Sequence, residues 1–206
     1  MTAIAADALA TGLRDAGLMV DPAFDYTKGR LCAHGETDAT GCESAWRALE
    51  RGGNTGVGVV LREGDGLLCL DFDPAKISVP VGRDLWEHLF DAPIPRGATV
   101  VTTPNGGLHV WLRLPRGERV NTLLRVRGVR LDIISYQGGE CPNVVLPGSV
   151  VRNRAGELVE YRYVDGGGFA ALEAGAGSLD LPEPSDAILS ALTTDYWRKK
   201  NDPCDR

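Results

Sequence analysis

The sequence has no run of about 18 apolar residues, so no segment of it reads as a membrane-spanning helix. Residues 1–20 lack a basic stretch followed by an apolar core, which argues against secretion and for a cytoplasmic protein. Cysteine is scarce: Cys32, Cys42, Cys69, Cys141 and Cys204 are an odd, unclustered set that suits a reducing compartment better than a disulfide framework. There is no excess of positive charge, with 22 basic against 28 acidic residues and a net charge of −6, which excludes a protein whose whole surface coats nucleic acid. Internal repeats are absent. With 43% hydrophobic and 24% charged residues, the composition is that of a folded globular chain and not of a disordered, collagen-like or coiled-coil one.

What is present fits one domain, since 206 residues bury a substantial core. Ile4, Ala8, Leu9, Leu13 and Ala16 share one helical face, with Thr2 to cap the helix and Gly17 to stop it. Thr40 and Glu43 stand at capping-box spacing before a second helix over residues 43–51. Strands follow at 57–61 and 67–72, separated by a hairpin signal at Glu63-Gly-Asp-Gly66. Residues 82–90 read as a helix, and 98–103 and 108–114 as a strand pair joined by Pro104-Asn-Gly-Gly107. Strands at 129–134, 144–146 and 159–164 bring the total to about seven. The Gly/Pro-rich residues 166–184 read as a linker or loose loop, and Ser185 caps a last helix to about residue 199. The expected class is α+β, a mainly antiparallel or mixed sheet flanked by helices. Expected boundaries are a main domain over 1–165 with its core at 30–165, then the linker, then a C-terminal helix and tail at 185–206 that leads toward any further domain.

Chemistry concentrates in three places. Leu67-Leu-Cys-Leu-Asp71-Phe-Asp73 is an apolar strand that ends in two aspartates at i and i+2, so both carboxylates share a face while Phe72 turns away. Adjacent like charges repel unless a cation lies between them, and hard divalent ions such as Mg²⁺ or Mn²⁺ prefer such oxygens. Alone, the pair also fits two solvated aspartates opening a turn before Pro74. Val129-Arg-Leu-Asp132-Ile-Ile134 places a further acid inside an apolar run, where it needs a cation or an exposed strand end. Beside the first strand it would complete a three-carboxylate site for two metals, which serves phosphoryl or nucleotidyl transfer. Thr102-Thr-Pro-Asn-Gly-Gly107-Leu-His109-Val-Trp111-Leu-Arg113 follows a glycine turn with alternating His109, Trp111 and Arg113, so imidazole and guanidinium are expected to meet the same phosphates. Between Arg113 and Arg130 six arginines face one acid, Glu118, a local basic track in an acidic chain or else a solvated hairpin. Cys32, His34 and Cys42 hint at zinc spacing, but no nearby fourth cysteine or histidine completes a structural site.

In this order, the three pieces resemble the archaeo-eukaryotic primase superfamily and its bifunctional primase–polymerase branch. The matches are Asp71 and Asp73, Gly106-Gly107-Leu108-His109, and Leu131-Asp132. His34-Gly35, Asp38-Ala-Thr40, Trp46, Asn54-Thr-Gly56-Val-Gly58, Gly138-Gly139, Val145-Leu-Pro-Gly-Ser149 and Tyr161 add to the likeness over residues 30–165. The resemblance implies a template-dependent DNA primase and polymerase working by a two-metal mechanism in phage, plasmid or bacterial replication. Asp71, Asp73 and Asp132 would bind catalytic Mg²⁺ or Mn²⁺. His109 and Gly107, with Arg113 and Ser149, would bind the incoming nucleotide. The local basic charge, apart from the resemblance, points to Arg125, Arg127 and Arg130 as contacts for nucleic acid. Single-stranded DNA template, primer and dNTP or rNTP are the implied partners, and a helicase domain or subunit a further one. The family often has serine where this chain has Gly107, and a glycine amide would have to replace that hydroxyl. Two other classes compete: a nucleotide-sugar glycosyltransferase, which explains Asp71 and Asp73 but not Asp132 with His109, and a non-catalytic DNA-binding module of a replication initiator, which explains only the arginines.

Overall fold

The computed structural model describes residues 6–23, 56–77, 80–120, 123–126, 129–136 and 142–201. Thr2, the helix expected over 43–51, Cys32, His34, Cys42, Cys141, Cys204, Gly138-Gly139 and Arg127 lie outside the described residues.

The central sheet has six strands, all antiparallel. They are β3 (Leu67–Phe72), β4 (Thr99–Thr102), β5 (Leu108–Arg113), β6 (Leu123–Val126), β7 (Val129–Ser135) and β11 (Arg162–Asp165), in the order β11-β4-β5-β3-β7-β6. A smaller antiparallel sheet runs β1-β2-β8, from β1 (Met19–Ala23), β2 (Gly56–Val60) and β8 (Asn143–Val145). A separate hairpin pairs β9 (Val150–Arg152) with β10 (Leu158–Glu160). The helices are α1 (Ala6–Asp15), α2 (Arg83–Phe90), α3 (Gly167–Glu173) and α4 (Asp186–Asn201).

Strand alternation gives the central sheet two apolar faces. Leu68, Leu70 and Phe72 of β3 join Val110, Leu112, Leu131 and Ile133 under α2 and α4, through Leu85, Trp86, Leu89, Ile188 and Leu192. Leu67 and Cys69 point the other way, to a second core with Trp111, the small sheet's Val57, Val59 and Val144, and Leu9, Leu13, Phe169 and Leu172 from α1 and α3. The described elements therefore form an α+β unit whose middle layer is the six-stranded sheet.

Several expectations hold. Gly17 takes the left-handed conformation (φ 83°) at the end of α1, and Ser185 accepts from the Leu189 N–H through its carbonyl and from the Ile188 N–H through its hydroxyl at the start of α4. The β4–β5 pair joined by Pro104–Gly107 is a hairpin in register Thr102↔Leu108.

Others are corrected. Eleven strands appear among the described residues where about seven were expected. The extra ones are short, or carry Pro22 at the edge position of the small sheet, too brief or too broken to show a period of two. Residues 57–61 and 67–72 do not form a hairpin. β2 lies between β1 and β8, where it is buried throughout, and β3 lies between β5 and β7. A Cβ at Gly58 would sit 2.3 Å from the Asn143 side chain across the β2–β8 pair. Residues 166–184 are no loose linker. Their glycines permit contact: a Cβ on Gly167 would lie 2.4 Å from the Gly97 carbonyl, and one on Gly168 2.2 Å from that of Asp180. The buried Thr99 hydroxyl donates to the Gly166 carbonyl and accepts from the Phe169 N–H, which seats α3 on β4.

That seating is measurable. Phe169 is fully buried, 5.0 Å ring to ring from Trp111. Phe169→Ala is expected to cost about 3–5 kcal/mol in urea unfolding; an unchanged midpoint would return the segment to the linker reading.

Candidate active site

Three strands bring the acids and the histidine into one row. In the register of β3, Asp71 stands opposite His109 of β5 on one side and opposite Asp132 of β7 on the other. Directly opposed residues of neighbouring strands project from the same face with Cβ atoms about 5 Å apart. Asp73 follows two residues on, just past the end of β3, where its carboxylate accepts from the Ala75 N–H and caps the short 3₁₀ turn Pro74–Lys76. The row lies at the margin of the second core, so Asp71, Asp73 and Asp132 side chains are each about one-fifth exposed (22, 18 and 21%) and His109 is almost covered.

Electrostatics hold the row together. His109 Nε2 is 3.6 Å from Asp71 Oδ1. The Lys76 ammonium contacts Asp132 Oδ2 and lies 3.9 Å from Asp73 Oδ2. Arg130 Nε is 3.7 Å from Asp132 Oδ1, and Arg154 Nη2 donates to Asp73 Oδ2 at 3.1 Å. Burial alone would raise the Asp73 carboxyl, but the Ala75 N–H, Arg154 and Lys76 outweigh it and hold the group below its ordinary value. A carboxyl depressed in this way adds stability above the ordinary carboxylate range, and that stability is lost as pH falls through its folded value. Tyr161, its ring 5.6 Å from that of His109, has its phenol pushed far up by burial and by the charge on Asp71. Burial, then Asp71, raises the Cys69 thiol beneath the row, so it stays neutral and inert there.

The other expected site residues divide. Arg130 belongs to the row. Arg125 stands opposite Arg130 in the β6–β7 register. Arg113 lies apart from His109. It pairs with Leu67, four residues or roughly 13 Å along the strand from His109. Its guanidinium donates to the Leu179 carbonyl and its N–H to that of Pro182, tying the chain before α4 to the sheet. Trp111 on the same face is core. Ser149 is fully buried, and its hydroxyl accepts from the Val57 N–H and donates to the Val57 carbonyl, a clasp on β2. The Gly107 amide is likewise engaged, donating to Thr103 Oγ1.

Sequence reasoning missed Lys76 and Arg154. Lys76 had a local signal, three residues beyond Asp73 in a proline-opened turn. Arg154 had none, since it is 81 residues from Asp73 and reaches it from the β9–β10 turn, where its own N–H donates to Asn105 Oδ1.

Among the described residues no three His, Cys, Asp or Glu side chains converge on a single metal position. Carboxylate oxygens are the donors a hard divalent cation prefers. Three carboxylates gather from two strands and a strand end, Asp132 Oδ1 is buried without a hydrogen bond, and the oxygens already attract the ammonium and guanidinium groups nearest them.

The turn before His109 has no spare room. A Cβ on Gly107 would lie 2.4 Å from the Phe72 carbonyl, between Asp71 and Asp73, and 2.8 Å from Thr103 Oγ1. Gly107→Ala is expected to lower stability by about 1–3 kcal/mol, read as a drop in Tm; an unchanged Tm would show that the turn accommodates a side chain.

Across known families, the model of the bifunctional DNA primase/polymerase N-terminal domain matches residues 10–174. No curated protein matches the chain.

Proposed function

The chain belongs to the bifunctional DNA primase/polymerase family, and from that membership we propose that it carries out template-dependent nucleotidyl transfer, making and extending DNA primers from nucleoside triphosphates. The observation that carries this reading is the register that sets Asp71 between Asp132 and His109. An acid-lined row beside a nearly buried imidazole offers one place for cation-bound phosphates and an adjoining group to hold them.

Asp71, Asp73 and Asp132 would hold Mg²⁺ or Mn²⁺. When bound, such ions supply charge neutralisation for the attacking and leaving oxygens of an in-line displacement. His109 fixes one edge of the row. Its Nε2 faces Asp71, and its ring is flanked by Tyr161 and Trp111, so the imidazole is held in place beside any phosphate seated over the row. The buried aromatic floor excludes water from below, which strengthens the electrostatic interactions above it.

The nucleic acid would run along the β6–β7 side. Arg125 and Arg130 occupy opposed positions in that pair, and Arg130 also faces Asp132. Basic residues at these positions suit the phosphates of a DNA template. Replication of phage, plasmid or bacterial DNA, with a helicase domain or subunit as partner, is the setting this activity suits. No described helix is long and apolar enough to cross a membrane.

Incorporation of labelled dNTPs on a primed template, with and without primer, tests the reading. Asp71→Asn and Asp132→Asn are each expected to lower synthesis by about 10²-fold or more at saturating Mg²⁺ or Mn²⁺ while leaving the fold intact. Near-normal synthesis by either variant rejects the site. The basic track has its own test in DNA binding across a salt series. Reversing Arg125 and Arg127 together to Glu is expected to weaken binding and flatten its salt dependence. Equal affinities with parallel salt slopes would make the segment a solvated hairpin.

A further inference from the structure

We propose that Lys76 is the resident counter-ion of the carboxylate row, and that a divalent cation enters the site by displacing its ammonium. The inference rests on the reading of Asp71, Asp73 and Asp132 as metal ligands and adds a residue to it.

Lys76 is placed for this by its own turn. Asp73 caps the turn at the Ala75 N–H and accepts from the Lys76 N–H through its carbonyl, so the chain doubles back and aims the lysine over the row. Its ammonium then touches carboxylates from two separate elements: Asp132 on β7, in direct contact, and Asp73 at the end of β3, at 3.9 Å. A cation shared by two carboxylates occupies the space a divalent ion bound to both would need, and both contacts are made with Oδ2 atoms. The two charges cannot hold the same oxygens together, since cation–cation repulsion at such separations is strong where water is partly excluded.

The other two cations at the row differ in kind. Arg130 and Arg154 each meet one carboxylate, and both are more solvent-facing, with side chains 45 and 60% exposed, against 33% for Lys76. A lysine on a flexible stem gives up a contact readily and regains hydration for its compact charge, whereas a guanidinium holds a planar fork. Placed so, Lys76 relieves the repulsion between Asp73 and Asp132 and keeps them near one another. On metal entry it swings toward solvent.

The chain has four lysines, Lys28, Lys76, Lys199 and Lys200, so amine acylation read by peptide mass follows Lys76 individually. The experiment pairs that labelling, with and without Mn²⁺, with Mn²⁺ binding followed by the resonance of the free ion. Wild type, Lys76→Met, Lys76→Arg and Asp132→Asn are compared. Lys76→Met is expected to bind Mn²⁺ about tenfold more tightly than wild type, because one competing charge is gone. Lys76→Arg should not gain affinity, and Asp132→Asn should lose it. Acylation of Lys76 in the wild-type protein should speed up on adding Mn²⁺, with the other three lysines unchanged. Mn²⁺ binding that needs Asp132, but is equal in wild type and Lys76→Met with Lys76 labelling unmoved, overturns the role of Lys76 and leaves the metal reading standing. The labelling arm decides the matter on wild-type protein if Lys76→Met does not fold. No Mn²⁺ uptake by wild type or Lys76→Met, or uptake indifferent to Asp132, overturns both.

Discussion

Everything at the site depends on the pairing of β3 with two neighbours at once. Because β3 lies between β5 and β7, one residue, Asp71, acquires a cross-strand partner on each side, and those partners are His109 and Asp132. A strand at the edge of the sheet could offer only one. The arrangement is costly in charge, since two carboxylates face one another at the margin of an apolar core with a third just beyond. The structure meets that cost with cations drawn from three directions: Lys76 from the turn that follows, Arg130 from within β7, and Arg154 from a distant hairpin. The acidic row and its basic collar are one electrostatic unit.

The two cores divide the work of keeping that unit still. The α2 and α4 side secures the even-numbered face of β3, with Phe72 against Trp86. The other side is closed by the small sheet, α1 and the segment that begins at Gly166. Arg113 and Ser149, both candidates for a nucleotide contact, serve this second enclosure, one by gripping the Leu179 and Pro182 carbonyls and the other by clasping β2. Polar side chains buried beside a site are often occupied in this way. Those hydrogen bonds to backbone give each side chain a structural use.

The parts legible in the sequence are those whose information is local. Apolar alternation broken by Asp71 and Asp73 marks the strand, its face and its acidic end, and the glycine turn before His109 marks the hairpin. Alternation does not say how far along a strand a ligand reaches, so it groups Arg113 with His109 although four residues separate them. Glycine reads as freedom at Gly166, Gly167 and Gly168, yet the last two serve close approach to the backbones of Gly97 and Asp180. Those two uses look alike in a sequence, because the crowding atoms belong to residues far away. Arg154 is invisible for the same reason. The turn signal between 57–61 and 67–72 is sound as a turn, but nothing local states that the chain passes there from one sheet to another.

Parity along β3 has a further consequence for how this fold tolerates change. Residues 67, 69, 71 and 73 serve the site face, and 68, 70 and 72 the helix face, so a slip of one residue would swap the two sets wholesale. Asp71 would then be driven among Val110, Leu131 and Ile133 of the opposite core, while Phe72 would surface beside His109. The penalty for burying that carboxylate and exposing those side chains is far larger than the advantage of any misaligned pairing. Alignment of the row is therefore insured by hydrophobic sorting, and single-residue insertions or deletions in β3 are opposed by the same sorting. Substitutions on the even face are free to drift in size and shape, provided their sum still fills the space under α2 and α4.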